Sequence, residues 1–295
     1  MNDIERYVIE EFVEEYRLGQ YGYDELKRRL ITCGADLAIL EGLPVVSGRT
    51  RPAMFAGGDN PWQDGGQDVE GQMITYKSGG DTIEAFQARP KSQGPKPGVV
   101  VCHENRGLVE YVKDVALGLA SHGYVAIAPD LLTREGPTSK FKDPAADVPP
   151  LLTNIPPERH VGDLKAAVDT LIGMNVGPVG AIGFCFGGGQ TWRLVTREPR
   201  LAAAAPFYGP NPPLDDVANI TAPVLAIYGA LDERINAGID AIVAAMKQHG
   251  KTFEHTVYPN SQHAFHNHQN PDRYNPETAN QAWQQAMAWF KRYLG

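Results

Sequence analysis

The chain has 295 residues, 42% of them hydrophobic and 21% charged, with a formal net charge of -8 at pH 7. That size and balance suit a globular α/β protein with one large core and an extension. The acidic charge, without any cluster of Lys and Arg interleaved with aromatics, excludes a nucleic-acid groove, and no apolar run is long enough to span a bilayer.

Three cysteines, Cys33, Cys102 and Cys185, form no CxxC pair and no ligand spacing, which suits individual thiols in a reducing compartment. A cytoplasmic location is expected. The alternative is export through Lys27-Arg28-Arg29-Leu30-Ile31, a twin-arginine-like stretch whose following apolar segment is interrupted by Asp36 and Glu41.

Residues 1–41 read as a helical N-terminal extension. Ile4, Val8, Ile9, Phe12, Val13 and Tyr16 recur at helical spacing, with Glu10, Glu11, Glu14 and Glu15 assigned to the opposite face. Asn2 or Asp3 is the expected cap and Gly19 the expected end. A second helix, capped by Asp24, is expected from Glu25 towards Cys33, resuming through Leu40. Two such amphipathic helices must bury their stripes on the main domain or on a second subunit. Residues 42–71 are rich in Gly and Pro and read as a linking loop anchored by Phe55 and Trp62.

The domain expected over 72–295 begins with a hairpin, Met73–Tyr76 and Thr82–Gln87, around Ser78-Gly79-Gly80-Asp81. Gly98–Cys102 and Tyr124–Ala128 read as buried strands flanking a helix over Val109–His122. The proline-rich stretch Asp130–Pro157 reads as a long loop of the kind that caps a site. A helix over Arg159–Met174 precedes a strand over Val179–Ile182. Strands at Leu201–Tyr208, Ala222–Gly229 and Thr252–Tyr258 follow, with helices at Ala237–Gln248 and Glu277–Tyr293. This alternation predicts a mostly parallel open sheet with helices on both faces and a site at the carboxyl ends of the strands.

Chemistry concentrates at Gly183-Phe184-Cys185-Phe186-Gly187-Gly188, between the Val179 strand and a helix through Val195. Glycines two before and two after a central Cys make the strand–turn–helix of a nucleophile elbow, with Cys in the place usually held by Ser. Strand and helix can approach only without Cβ atoms, and the thiol then stands at a helix N-terminus. A nucleophile needs a base, and the base an orienting carboxylate. In chain order, Asp232 follows the strand ending at Gly229, and His263 lies in the loop after the Tyr258 strand. Asp232 also reads as a helix N-cap ahead of Ile235.

His266 and His268 invite a metal reading, but no H-E-x-x-H or Cys partner accompanies them, so no metal is assigned. Gly177, Gly180 and Gly183 do not give G-x-G-x-x-G, so no nucleotide cofactor is assigned. The residues point to an ester or lactone hydrolase working through a thioester. The alternatives are a promiscuous aryl or short-chain carboxylesterase and a non-catalytic thiol redox sensor on the same fold.

The elbow hexapeptide, the Leu231-Asp232 turn and Gln262-His263-Ala264-Phe265 resemble the dienelactone hydrolase family, from about Ile74 to the C-terminus. The resemblance implies an α/β-hydrolase fold and a carboxymethylenebutenolidase-like activity on a small ester or lactone. Cys185 would be the nucleophile, His263 the base and later the acid, and Asp232 the group orienting His263. His103-Glu104-Asn105-Arg106-Gly107 resembles the family's strand-end segment, in which the glutamate, here Glu104, restrains the resting thiol. Backbone N–H groups of Phe186 and Asn105 would form the oxyanion hole. Pro129-Asp130-Leu131-Leu132-Thr133-Arg134 resembles the segment whose arginine holds a substrate carboxylate. Where family members carry a second arginine after the histidine, this chain has Asn267, and Arg106 is the expected substitute. A homodimer through the N-terminal helices is a further expectation.

Overall fold

A computed structural model describes residues 2–44 and 60–295. Half of the expected linking loop, including Phe55, lies outside the described residues. Its other expected anchor, Trp62, is buried and stacks on His266 with ring centroids 3.8 Å apart.

Helix α1, Asp3–Arg17, opens on a capping box: the Asn2 side chain accepts from the N–H groups of Ile4 and Glu5, and the Glu5 carboxylate accepts from the Asn2 N–H. One expectation about this helix is overturned. Glu11 and Glu15 are buried with the apolar stripe, at 2% and 4% exposure, while Glu10 faces solvent. Positions 4, 7–8, 11–12 and 15–16 recur at helical spacing, so both glutamates share a face with Ile4, Val8 and Phe12.

Helix α2, Tyr23–Thr32, is preceded by Gly22 at its cap, so Asp24 falls in the first turn and meets the dipole there instead of capping. Leu37–Leu40 forms a separate 3-10 turn opened by Asp36.

The body begins with β1 (Val69–Ser78) and β2 (Asp81–Pro90), paired antiparallel from Val69↔Pro90 to Ser78↔Asp81. Next come β3 (Gly98–Cys102), α3 (Glu110–Ser121) and β4 (Val125–Pro129). The stretch read as a loop from Asp130 to Pro157 contains α4, Pro144–Thr153. Pro144 suits a first helical turn, and burial of Ala145, Ala146, Val148 and Leu152 overrides the cost of Pro149 and Pro150 inside the helix. Beyond it lie α5 (Pro157–Gly173), β5 (Val179–Phe184), α6 (Phe186–Val195), β6 (Leu201–Phe207) and β7 (Val224–Gly229). The chain closes with α7 (Glu233–Asn236), α8 (Ile239–Gln248), β8 (Phe253–Tyr258) and α9 (Pro276–Leu294).

The strands form one sheet in the order β1-β2-β4-β3-β5-β6-β7-β8. Strand β2 runs against both neighbours, and the pairings from β4 to β8 are parallel. This is the α/β-hydrolase architecture expected. Strands β3 and β5 are buried at every residue, as befits strands covered by helices on both faces. The apolar stripe of α1 closes on the chain itself, against α2 and α4. Among the described residues, no helix is long and apolar enough to cross a membrane.

The connection from β3 runs to β4 on one side and that from its neighbour β5 runs to β6 on the other, which opens a crevice at the carboxyl ends. Helix α6 must come very near the sheet there. A Cβ on Gly183 would lie 2.2 Å from the Gly187 carbonyl oxygen, and one on Gly187 would lie 2.2 Å from that of Cys102. Gly162, inside α5, has nothing within 4 Å of its missing Cβ. Gly183→Ala is therefore expected to destabilise by about 3 kcal/mol or more, the upper end of overpacking costs. Gly162→Ala is expected to gain about 0.5–1 kcal/mol from helix propensity. Urea unfolding of the two variants measures both.

Candidate active site

Cys185 sits between the last residue of β5 and the first of α6, with φ 59° and ψ -120°. A side chain in that region is strained and persists only where the surroundings over-determine it. Here the Cys185 N–H is held by the Phe207 carbonyl at 3.1 Å, and its own carbonyl accepts from Gly189 at 3.2 Å. The N–H groups of Phe186, Gly187 and Gly188 precede that first intrahelical bond, so the helix leaves them without an internal acceptor.

Asp232 lies just past β7. One carboxylate oxygen stands 2.5 Å from His263 Nδ1, and the other accepts the Ile235 N–H at 3.2 Å. The two readings of this residue therefore coexist, because one carboxylate both caps α7 and meets the histidine. His263, in the turn after β8, is wholly buried, and Cys185 is 3% exposed.

Helix α1 brings two residues that sequence reasoning missed. The Tyr7 hydroxyl lies 2.8 Å from Cys185 Sγ and 3.3 Å from His263 Nε2. One turn on, a Glu11 oxygen lies 3.6 Å from the same Nε2. That carboxylate also binds Arg234 Nη2 at 2.5 Å and Arg273 Nη1 at 3.0 Å. Arg234 additionally lies over the Tyr7 ring, 4.7 Å from its centroid.

The electrostatics follow from this crowding. Burial works against the Glu11 carboxylate, but His263, Arg273 and Arg234 outweigh it and bring its pKa down to about 2. Burial likewise disfavours an imidazolium at His263, yet Glu11, Asp232 and Cys185 raise it well above the usual histidine range. Tyr7 is pushed the other way, since burial and the neighbouring Cys185 and Glu11 keep its phenol neutral.

The supporting residues fall into two groups. Glu104 and Asn105 are buried just past β3. One Glu104 oxygen accepts from Asn267 Nδ2 at 2.7 Å, and the other has no hydrogen-bond partner. Burial raises the Glu104 pKa, so the residue is held towards its neutral acid. Asn267 thus grips Glu104 from the position where the family pattern has an arginine. Arg106 reaches Glu15 at 3.3 Å.

Arg134 is spent elsewhere. Nη1 and Nη2 bind the buried Asp163 at 2.6 and 3.0 Å, and Nε binds Asp81 at 2.5 Å. The nearby histidines serve packing. His103 spans Glu104 O and the Leu131 N–H, and His266 Nδ1 hydrogen-bonds the Tyr111 hydroxyl at 2.8 Å while the ring lies flat against Trp62. Cys185 sulfur, a His263 nitrogen and a Glu11 oxygen all lie within 4.8 Å of one another, a donor set a soft divalent cation could take. Two guanidiniums already neutralise Glu11, however, and oppose a further cation there.

With this geometry in view, the comparisons are informative. The dienelactone hydrolase family profile matches residues 83–294. The chain belongs to the dienelactone hydrolase family. A relative from Escherichia coli O157:H7, named "Putative carboxymethylenebutenolidase", is 35% identical over 237 residues, covering 76% of this chain and 87% of the relative. One of the same name from Methylorubrum extorquens is 35% identical over 225 residues, 72% of this chain and 77% of its own. Among solved structures, the "Putative Dienelactone Hydrolase" of Klebsiella pneumoniae superposes with a TM-score of 0.71 at 31% identity, covering 77% of this chain and all of that one. Family membership makes the protein a hydrolase. Helix α1, with Tyr7 and Glu11, precedes the residues that the family profile matches.

Two outcomes follow. The stability that ionised Glu11 contributes is present above its unfolded pKa of 4.5 and lost as pH falls towards the folded value of about 2. The gap in urea midpoint between the wild-type protein and Glu11→Gln should therefore narrow from about pH 5 to about pH 3. Arg134→Met, which strands the buried Asp163 carboxylate, should lower unfolding stability by about 3 kcal/mol and leave KM unchanged. A raised KM without lost stability would return Arg134 to the substrate.

Proposed function

We propose that the protein hydrolyses lactones and activated carboxylic esters through Cys185, His263 and Asp232, by way of a thioester acyl-enzyme. The observation that carries this reading is the contact of Asp232 with His263 Nδ1 at 2.5 Å, beside a cysteine held at positive φ on a strand–helix turn. The butenolide-cleaving activity in the names of the curated relatives supports it.

In the proposed cycle neutral His263, relieved of the Glu11 charge that favours its protonation at rest, takes the Cys185 proton at Nε2, and the sulfur attacks the substrate carbonyl. Asp232 holds Nδ1–H and so fixes the tautomer and stabilises the imidazolium. The oxyanion is met by the N–H of Phe186, the first residue of α6, and by that of Asn105 beyond β3. Collapse expels the alkoxide or enolate, which takes the proton from His263, and leaves the acyl group on sulfur. Water, deprotonated by His263, then attacks the thioester carbonyl. The carboxylic acid departs and the thiolate recovers its proton. Glu104 enters this scheme as a buried carboxyl whose pKa burial raises and whose second oxygen has no hydrogen-bond partner among the described residues.

A cavity of about 370 Å³, large enough for a small ester, is lined by Tyr7, Phe186, Gln190, Arg193 and Arg234 among others. It adjoins the elbow through Phe186 and Gly189, while Cys185 itself does not line it.

Cys185→Ala should abolish p-nitrophenyl ester turnover with an unchanged circular dichroism spectrum. Asp232→Asn should lower kcat by about 10³–10⁴, as loss of the orienting acid does in other triads. Undiminished turnover in Cys185→Ala would refute the assignment.

A further inference from the structure

The resting thiol cannot be approached. Cys185 and His263 are 3% and 0% exposed, and what covers them is α1. A substrate carbonyl must come to the sulfur at about the distance and place where the Tyr7 oxygen now stands, 2.8 Å from Sγ. The Nε2 atom that must take the thiol proton faces the Tyr7 hydroxyl and the Glu11 carboxylate.

We infer that α1 is a tethered occupant of the substrate site, with Tyr7 in the position of the reacting carbonyl and Glu11 as the anionic group that latches it. Turnover then requires α1 to withdraw. The inference rests on Cys185 being the nucleophile, as proposed above.

The latch is built from groups with little else to do. Arg273, buried at 4% exposure, binds Glu11 through Nη1, while its Nε and Nη2 have no hydrogen-bond partner among the described residues. Arg234 binds Glu11 and Glu14 and also leaves Nη1 unpartnered. A guanidinium with orphaned donors in a buried place is costly unless an anion completes it, and Glu11 completes it only in part. When α1 leaves, both guanidiniums lose that carboxylate beside the nucleophile, and an anionic group on the incoming ligand can replace it.

Around the latch, Val8, Phe12 and Tyr16 bury the apolar stripe of α1, which packs on α2 and α4. Asp3–Arg193 at 3.0 Å and Arg106–Glu15 at 3.3 Å are partly exposed pairs that contribute little. Over the site itself, the Tyr7–Cys185 contact and the Glu11 cluster are what α1 must give up to withdraw.

The test uses the full-length protein alkylated at Cys185 with N-ethylmaleimide, with peptide mass spectrometry confirming the site. An adduct on Sγ cannot coexist with an oxygen 2.8 Å away, so the amides of residues 3–17 should lose hydrogen-exchange protection while those of β5 and β6 keep theirs. In parallel, Glu11→Gln should speed iodoacetamide labelling of Cys185 by about tenfold or more, matching a latch weakened by 1.4 kcal/mol, without lowering kcat/KM. Val8→Asp, which loosens α1 from outside the site, should act in the same direction. Unchanged α1 protection in the alkylated, natively folded protein would overturn the inference. So would faster labelling with a fallen kcat/KM in both variants, which would make α1 part of the catalytic machinery. Both labelling and exchange are read without turnover. A protein that turns over no ester but shows both effects would refute the hydrolase assignment alone.

Discussion

The closeness of β5 and α6 at Cys185 is the constraint from which the site follows. The helix axis meets the sheet with carbonyl oxygens where Cβ atoms would stand on Gly183 and Gly187. The residue between them can satisfy that path only with positive φ. Strand β5 lies at the middle of the sheet, paired with β3 and β6. Its end is therefore flanked by the β3 loop carrying Glu104 and Asn105 and, two strands away, by the β7 end carrying Asp232. The topology alone delivers these groups to one crevice.

What the fold delivers, the charges then organise. Asp232 and Glu11 flank His263 from its two nitrogens, one from the body and one from the N-terminal helix. Two negative groups on one imidazole would repel each other if Arg234 and Arg273 did not share the Glu11 charge. The extension is therefore part of the electrostatic balance of the resting site and not an appendage to the domain.

The sheet, its order of helices and the strand-end residues were legible in the sequence because they rest on local signals. Continuous apolar runs mark β3 and β5, glycines mark the turn, and chain order selects Asp232 and His263. The misreadings share a cause. Glu11 and Glu15 were assigned to the acidic face by residue type, although their spacing from Ile4, Val8 and Phe12 already put them on the buried one. A glutamate on an apolar stripe was the available signal for a buried partner. Arg234 and Arg273 carried no comparable mark, since only the tertiary fold brings them to Glu11. The Arg134–Asp163 pair was not legible either, since Asp163 comes from α5, 29 residues on, and no local pattern announces it. Helix α4 was hidden by its prolines, which tertiary burial overrides.

The double use of Asp232 carries a consequence for how this protein can change. One oxygen fixes His263 and the other anchors α7, the short helix that presents Arg234. A substitution there disturbs three things together: the tautomer of the histidine, the start of a helix, and the placement of a guanidinium over Tyr7. In the proposed cycle, drift at this position is therefore penalised through folding as well as through rate. A new acid supplied from another strand would have to arrive together with a new cap for α7.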